Sequence, residues 1–284
     1  MTASNHPSFL AGLIGAGIQA SRTPSMHERE GAEQGMRYVY RLIDIDKLGL
    51  GPEALPDLVQ AARRMGFDGL NVTYPCKQAI IPLLDELSDD ARQLGAVNTV
   101  VFRDGRSHGH NTDWWGFAES FRRGLPDVKR DTAVQLGAGG AGAAVAHAAL
   151  ALGVGRLSIF DRDRSRAAGL AAELSARFGE GRAVAGTDLA KDVAESCGLI
   201  HCTPTGMAKL PGLPLPAEFL HPALWVAEIV YFPLETELLR VARGLGCRTL
   251  DGGGMAVFQA VGAFELITGV RPDAERMRGH FASM

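Results

Sequence analysis

Two stretches of the chain gather residue types from which chemistry can be built. The first is QLGAGGAGAAVAHAAL at 135–150, where Gly137-x-Gly139-x-x-Gly142 follows one apolar run and opens an alanine-rich one. Between a strand and a helix, glycines at that spacing cradle a diphosphate: Gly137 permits the tight turn, Gly139 lets backbone N–H groups approach, and Gly142 allows close helix–strand packing. A second apolar run, RLSIF, ends at Asp161. That acid falls about 20 residues beyond the glycines, where a carboxylate can accept both hydroxyls of an adenosine ribose. A 2′-phosphate there would face a like charge, costing on the order of a few kcal/mol at about 4 Å and an effective dielectric near 20. Asp163 adds repulsion, whereas Arg162, Arg164 and Arg166 act the other way and also read as a solvated helix start. The acid at the strand end lies closest, so the expected cofactor is NAD rather than NADP.

The second stretch is NVTYPCK at 71–77, which packs an amide, a hydroxyl, a phenol, a thiol and an amine around a proline between apolar flanks. Two readings are open for it. Pro75 can simply end a strand in a water-facing turn, or Asn71, Thr73 and Lys77 can line a polar site. A near match to the glycine motif, Gly15-x-Gly17-x-x-Ala20 in GLIGAGIQAS, is followed by SRTPSMH rather than by a helix. It therefore cannot aim a helix N-terminus at a diphosphate. Its glycines are expected to bring backbone close to a ligand carried by Ser21 and Thr23.

Elements must hold these residues in place. FLAGLI, YVYRLI, FDGLNVT and AVNTVVF read as strands. Helices are expected over 25–35, with the Thr23 hydroxyl as N-cap and Pro24 at the first position, over 52–65, and over QAIIPLLDEL and DDARQLG, the former shortened or bent by Pro82. A helix at 112–125 leads to a polar junction, PDVKRD, after which strand and helix alternate again through RTLDG; the tail is helical. The pattern predicts an α/β protein with an N-terminal α/β domain over 1–114, completed by C-terminal helices in 254–284, and a Rossmann dinucleotide-binding domain over 115–253.

Composition bounds the partners. The 284 residues carry a formal net charge of −3 with no long basic run, which gives no support for a nucleic-acid partner. Four cysteines form no CxxC pair, and His108 and His110 have no third ligand nearby, so free thiols and no metal are expected. No apolar run reaches the roughly 18 residues that span a membrane. FLAGLIGAGI, with no preceding Lys or Arg, reads as a buried strand rather than a signal peptide. The expectation is a cytoplasmic monomer or homodimer with no membrane partner.

With NVTYPCK, GAVNT (95–99), GHNTDWWG (109–116), the glycine motif, HCTPTGM and GGGMAVFQA (252–260) in this order, the chain resembles the shikimate/quinate dehydrogenase family over nearly its whole length. The resemblance implies a substrate domain and a Rossmann domain, and interconversion of shikimate or quinate with its 3-keto form by hydride transfer. It implies Lys77 and Asp113 as the catalytic pair, Ser21 and Thr23 on the substrate carboxylate, and Thr73, Asn98 and Gln259 on ring hydroxyls, with Tyr231 at the cleft. On the cofactor it places Gly137, Gly139, Gly140, Ala141, Gly142, Asp161, Arg162, Thr203, Met207, Gly254 and Met255. Departures are Thr23 where serine is usual, His201 for asparagine, Phe258 for histidine and Glu228 for aspartate. Thr23 together with Asp161 looks like the NAD-preferring members. Aminoshikimate dehydrogenase, an NADP-dependent shikimate enzyme and a catalytically silent metabolite-binding module are the alternatives.

Overall fold

The apolar run FLAGLIG forms β1 (Ser8–Gly15), buried throughout from Ala11 to Gly15, as befits a strand covered on both faces. The computed structural model describes residues 6–284 and divides the chain into two units, Met1–Thr112 with Val257–Met284, and Asp113–Ala256. In the first unit β1 joins β2 (Arg37–Asp44), β3 (Gly69–Val72), β4 (Glu86–Leu87), β5 (Thr99–Arg103) and β6 (Arg106–His110). Their order in the sheet is β2-β1-β3-β5-β6-β4. β1 runs parallel to β2 and β3, while β5 is antiparallel to both β3 and β6. The C-terminal ends of β1 and β3 and the start of β5 therefore share one edge. Asp104 and Gly105, at φ 53° and 75°, close the tight β5–β6 hairpin.

Around this sheet lie α1 (Thr23–Glu33), α2 (Ile45–Leu48), α3 (Leu55–Arg64), α4 (Cys76–Ala79) and α5 (Asp89–Leu94). Two expectations are corrected. Thr23 is the first helical residue rather than the N-cap; Arg22 holds that position and no side chain caps it. QAIIPLLDEL is not a helix: after α4 come a 3-10 turn at Ile81–Leu83 and β4. Pro82 supplies no N–H for continued helical bonding, and Leu84 turns to extended backbone (φ −104°, ψ 145°).

The second unit opens with α6 (Asp113–Gly124) and then alternates: β7 (Thr132–Leu136), α7 (Gly140–Ala151), β8 (Arg156–Phe160), α8 (Arg164–Phe178), β9 (Ala183–Ala185), α9 (Leu189–Ala194), β10 (Gly198–His201), β11 (Trp225–Glu228), α10 (Glu237–Gly244) and β12 (Arg248–Leu250). All its strand pairs are parallel, in the order β12-β11-β10-β7-β8-β9. The order reverses between β7 and β10, the switch point of a doubly wound Rossmann sheet, where ligands bind beyond the strand ends. Ala144, Val145, Ala148 and Ala149 are buried on α7, and small side chains let that helix lie close to the sheet.

α11 (Gly252–Thr268) passes from the second unit into the first between Ala256 and Val257, and α12 (Ala274–Ser283) follows. These helices pack back on the first unit. Phe264 and Ile267 share a core with Ala11, Leu13, Tyr38 and Tyr40. The buried Glu30 of α1 takes a two-pronged bond from Arg276, at 2.8 and 2.6 Å. Among the described residues no helix is long and apolar enough to cross a membrane.

Candidate active site

In the first unit the polar residues of NVTYPCK gather at the shared strand edge. Thr73 N donates to Ile14 O (2.9 Å) and Ala16 N to Tyr74 O (2.9 Å), stitching the end of β3 to the turn after β1. A Cβ on Gly15 would collide with the Thr73 side chain and come within 2.9 Å of Tyr74 O, so only glycine admits this approach. Asn98 O accepts from Val72 N (2.8 Å), and Lys77 O from Val97 N (2.9 Å). Thr73, the half-buried Lys77 and the buried Asn98 are thus tied together by main chain. Ser21 stands on the turn leading from β1 into α1 and Thr23 on the first turn of that helix, where Ser21 Oγ accepts from Thr23 N (3.3 Å). Between them Arg22 lies over the Phe281 ring of α12, 5.1 Å from its centroid.

The amides of the first glycine turn are already taken. Gly17 N and Ile18 N donate to the Asp44 carboxylate at 3.0 and 3.1 Å, joined by Gln19 Nε2 at 2.9 Å. The Gln19 amide, helped by the N–H groups of Gly17, Lys47 and Ile18, holds the Asp44 carboxyl below the usual carboxylate range. A carboxylate of the protein itself occupies the place a phosphate would need.

Behind the strand edge runs a buried polar network that motif reading does not reveal. Tyr40 donates to Asn71 Oδ1 (2.7 Å), and Asn71 Nδ2 donates to Thr99 Oγ1 (3.1 Å) and Asn98 O (3.3 Å). Asn98 Oδ1 accepts from Thr112 N (2.7 Å), Asn98 Nδ2 donates to Thr112 Oγ1 (2.9 Å), and that hydroxyl lies 3.0 Å from Gln259 O. Burial, then the nearby Tyr38 phenol, pushes the Tyr40 hydroxyl well above its ordinary range, so it remains a donor. Gln259 itself is half-buried on α11.

In the second unit Gly137 has φ +101°, and a Cβ there would lie 2.8 Å from Cys202 O. A Cβ on Gly142 would collide with Gly137 O, whereas Gly139 and Gly140 face open space at the N-terminus of α7, beside the half-buried Ala141. Two glycines serve packing, and two leave the helix end uncovered, a cradle that fits a dinucleotide diphosphate. The buried Gln135 clamps the turn, donating from Nε2 to Gly137 O and Gly142 O, both at 2.9 Å. Asp161 accepts from Ala138 N (2.7 Å) and Asp163 N (2.9 Å). Asp163 turns away to cap α8 and lies 3.5 Å from Arg166, while Arg162 and Arg164 are exposed.

Past β10 and β11, Thr203 is half-buried and Met207 and Tyr231 are each 43% exposed. Asp113 is buried at the start of α6. Gly254 gives its side-chain space to Ser120 of α6, and Met255 sits in the core with Phe117 and Phe121. Phe258 is fully buried. The two departures His201 and Glu228 meet one another, as described below. Among the described residues no group of three or more His, Cys, Asp or Glu side chains could hold a metal.

Known proteins agree with this architecture. The model of the shikimate dehydrogenase substrate binding domain matches residues 13–100. A Streptomyces avermitilis protein named shikimate dehydrogenase (NADP(+)) is 62% identical, covering 98% of this chain and 96% of its own. A Corynebacterium efficiens quinate/shikimate dehydrogenase (NAD(+)) is 50% identical over 99% of this chain and 100% of its own. The structure of quinate dehydrogenase from Corynebacterium glutamicum in complex with NAD superposes with a TM-score of 0.94 at 47% identity, covering 98% of this chain and 100% of that one. The chain is an NAD(P)-dependent oxidoreductase and belongs to the shikimate/quinate dehydrogenase family.

Proposed function

We propose that the protein is an NAD-dependent dehydrogenase that oxidises the C3 hydroxyl of shikimate or quinate, and reduces the corresponding ketone, with Lys77 as the proton-transferring residue. The observation that carries this reading is the strand edge of the first unit, where main-chain bonds tie together the segments bearing Thr73, Lys77 and Asn98 and join them to the turn after β1, which leads through Ser21 to Thr23 at the start of α1. On this reading that unit, with the C-terminal helices, is the substrate domain, and the second unit holds the cofactor.

When bound, the dinucleotide supplies a ring carbon that takes or returns a hydride. The chain's own task is then the proton on the alcohol oxygen. A lysine amine can accept it as the ketone forms and return it in reduction, with Asp113 as the second member of the proposed catalytic pair. The hydroxyls of Ser21 and Thr23 hold the substrate carboxylate. Thr73, Asn98 and Gln259 hydrogen-bond the ring hydroxyls, and Tyr231 is a further substrate residue. The network from Tyr40 to Thr112 keeps the Asn98 amide in one orientation, which favours a rigid hydroxyl-reading group. Gly137, Gly139, Gly140, Ala141 and Gly142 receive the diphosphate, Asp161 and Arg162 the adenosine, and Thr203, Met207, Gly254 and Met255 the remainder.

NAD is favoured because the Asp161 carboxylate is fixed beside the glycine turn by two N–H donors and Arg166 is drawn toward Asp163. The NADP reading draws on the exposed Arg162 and Arg164 and on the NADP-named relative at 62% identity. Steady-state kinetics with shikimate and quinate, each with NAD and NADP, separates them: the highest kcat/KM should belong to an NAD pair. Lys77→Ala should lower turnover by about 10²- to 10⁴-fold while NAD still binds by calorimetry. Undiminished turnover in that variant would remove the role given to Lys77, and turnover on neither acid would leave a silent binding module.

A further inference from the structure

Two residues that depart from the family pattern, His201 and Glu228, are register partners at the ends of β10 and β11, and both side chains are wholly buried. His201 Nδ1 lies 2.9 Å from each Glu228 oxygen. An ionised carboxylate only accepts, so Nδ1 carries the donated proton, and Nε2 is left to meet Thr203 Oγ1 at 2.5 Å. The same carboxylate accepts from Val230 N (2.9 Å) and Thr236 Oγ1 (3.1 Å). Thr236 in turn caps α10 by accepting from Leu239 N (3.3 Å). One buried acid therefore fixes the loop after β10 through His201, and directly fixes the segment after β11 that carries Tyr231.

The topology says what these loops serve. A doubly wound sheet is built of two mononucleotide halves that meet at the switch point. The glycine turn and Asp161 follow β7 and β8, so the ends of β10 and β11 fall to the nicotinamide half. Thr203 abuts the glycine turn: a Cβ on Gly137 would lie 3.2 Å from Thr203 Cγ2.

We infer that the buried His201–Glu228 pair is a positioning device for the nicotinamide riboside half of the cofactor, acting by locking the Thr203 hydroxyl and the chain at Val230 in one arrangement. The inference rests on the dinucleotide reading of the second unit and deepens it. Burying an acid and an imidazole at a sheet end is costly unless every polar atom is satisfied; here Nδ1 meets the carboxylate, and Nε2 and both carboxylate oxygens each meet an atom of one of the two loops. Neither residue is assigned contact with substrate or cofactor.

The test compares binding of NAD with binding of ADP, which lacks the nicotinamide riboside, by calorimetry on the full chain. Glu228→Gln keeps the shape but gives up one acceptor oxygen, and Thr203→Val removes the hydroxyl outside the buried pair. Each should weaken NAD by about tenfold, the loss of one or two hydrogen bonds, and leave ADP within about twofold of the parent protein; Thr203→Ser should bind NAD like the parent. Equal weakening of NAD and ADP, or no weakening of either, overturns the inference. Should Glu228→Gln fail to fold, Thr236→Val and Thr236→Ser, which remove and keep a donor to the same carboxylate, decide by the same comparison of NAD with ADP. A parent protein that binds no NAD would instead remove the cofactor reading beneath it.

Discussion

Asp161 accepts from Ala138 N and Asp163 N, so the carboxylate has an architectural duty as well as a place beside the cofactor cradle. Asp161→Asn preserves an acceptor oxygen for one of those bonds and removes the charge. The kcat/KM for NADP relative to NAD should rise by about tenfold in that variant, the discount from the full Coulomb figure reflecting partial exposure. A ratio that stays fixed would mean that the arginines, and not the acid, set the preference. Asp161 is legible in the sequence because it terminates an apolar run at a fixed interval from the glycines. Asp44, Gln135 and Tyr40 are not. The glycine-turn partners of Asp44 lie 25 to 27 residues away, Asn71 is 31 residues from Tyr40, and Gln135 reads as an ordinary strand residue until the turn folds over it. Asn71 was conspicuous as an amide in an apolar flank, yet its orientation toward the sheet interior follows only from the β3–β5 pairing.

At the level of elements, the glycine turn is the most locally determined piece of the chain. Gly137→Ala would force a side chain onto a residue at φ +101° and against Cys202 O, costing about 2 kcal/mol or more in stability from backbone strain alone. Chemical denaturation should report that loss, and calorimetry a weakened affinity for NAD; a variant with unchanged midpoint and unchanged binding would show the turn to be free to relax. The segment after Lys77 illustrates the opposite case. QAIIPLLDEL has apolar residues at spacings that suit a helix, but short apolar runs do not distinguish helix from strand. Its fate is settled by Pro82 and by pairing of Glu86 and Leu87 with His108 and Gly109, partners that no local pattern announces. The start of α1 shifted for a smaller reason: Thr23 and Pro24 both take helical backbone, and Ser21 Oγ rather than the threonine hydroxyl meets the incoming amide.

For the whole molecule, the loss of stability on acidification has a definite source in His27, and the half-buried His110, whose pKa burial also lowers, adds in the same direction. His27 of α1 is fully buried among Tyr38, Tyr40 and Phe264, with Nδ1 3.2 Å from Tyr38 Oη and Nε2 without a hydrogen-bond partner. Burial pushes its pKa down to about 3. Between that value and the ordinary histidine range near pH 6.5, the unfolded chain binds a proton that the folded chain refuses, so stability present above about pH 6.5 falls on acidification. The expected slope from this one residue is about 1.4 kcal/mol per pH unit, resolvable between about pH 6.5 and 5, above the main carboxylate titration. His27→Phe should flatten the dependence of the urea midpoint on pH across that window. A parent protein whose midpoint does not move there would show that the ring can be protonated in place.

The second unit is one uninterrupted stretch, whereas the first is assembled from the beginning and the end of the chain. During synthesis the dinucleotide-type sheet can therefore complete itself while the strands that emerged earliest still wait for Phe264 and Ile267 to cover them. The part of the first unit made before the second is the last to close its interior. Until then Ala11, Leu13, Tyr38 and Tyr40 are the apolar surface that a growing chain must shield from its neighbours.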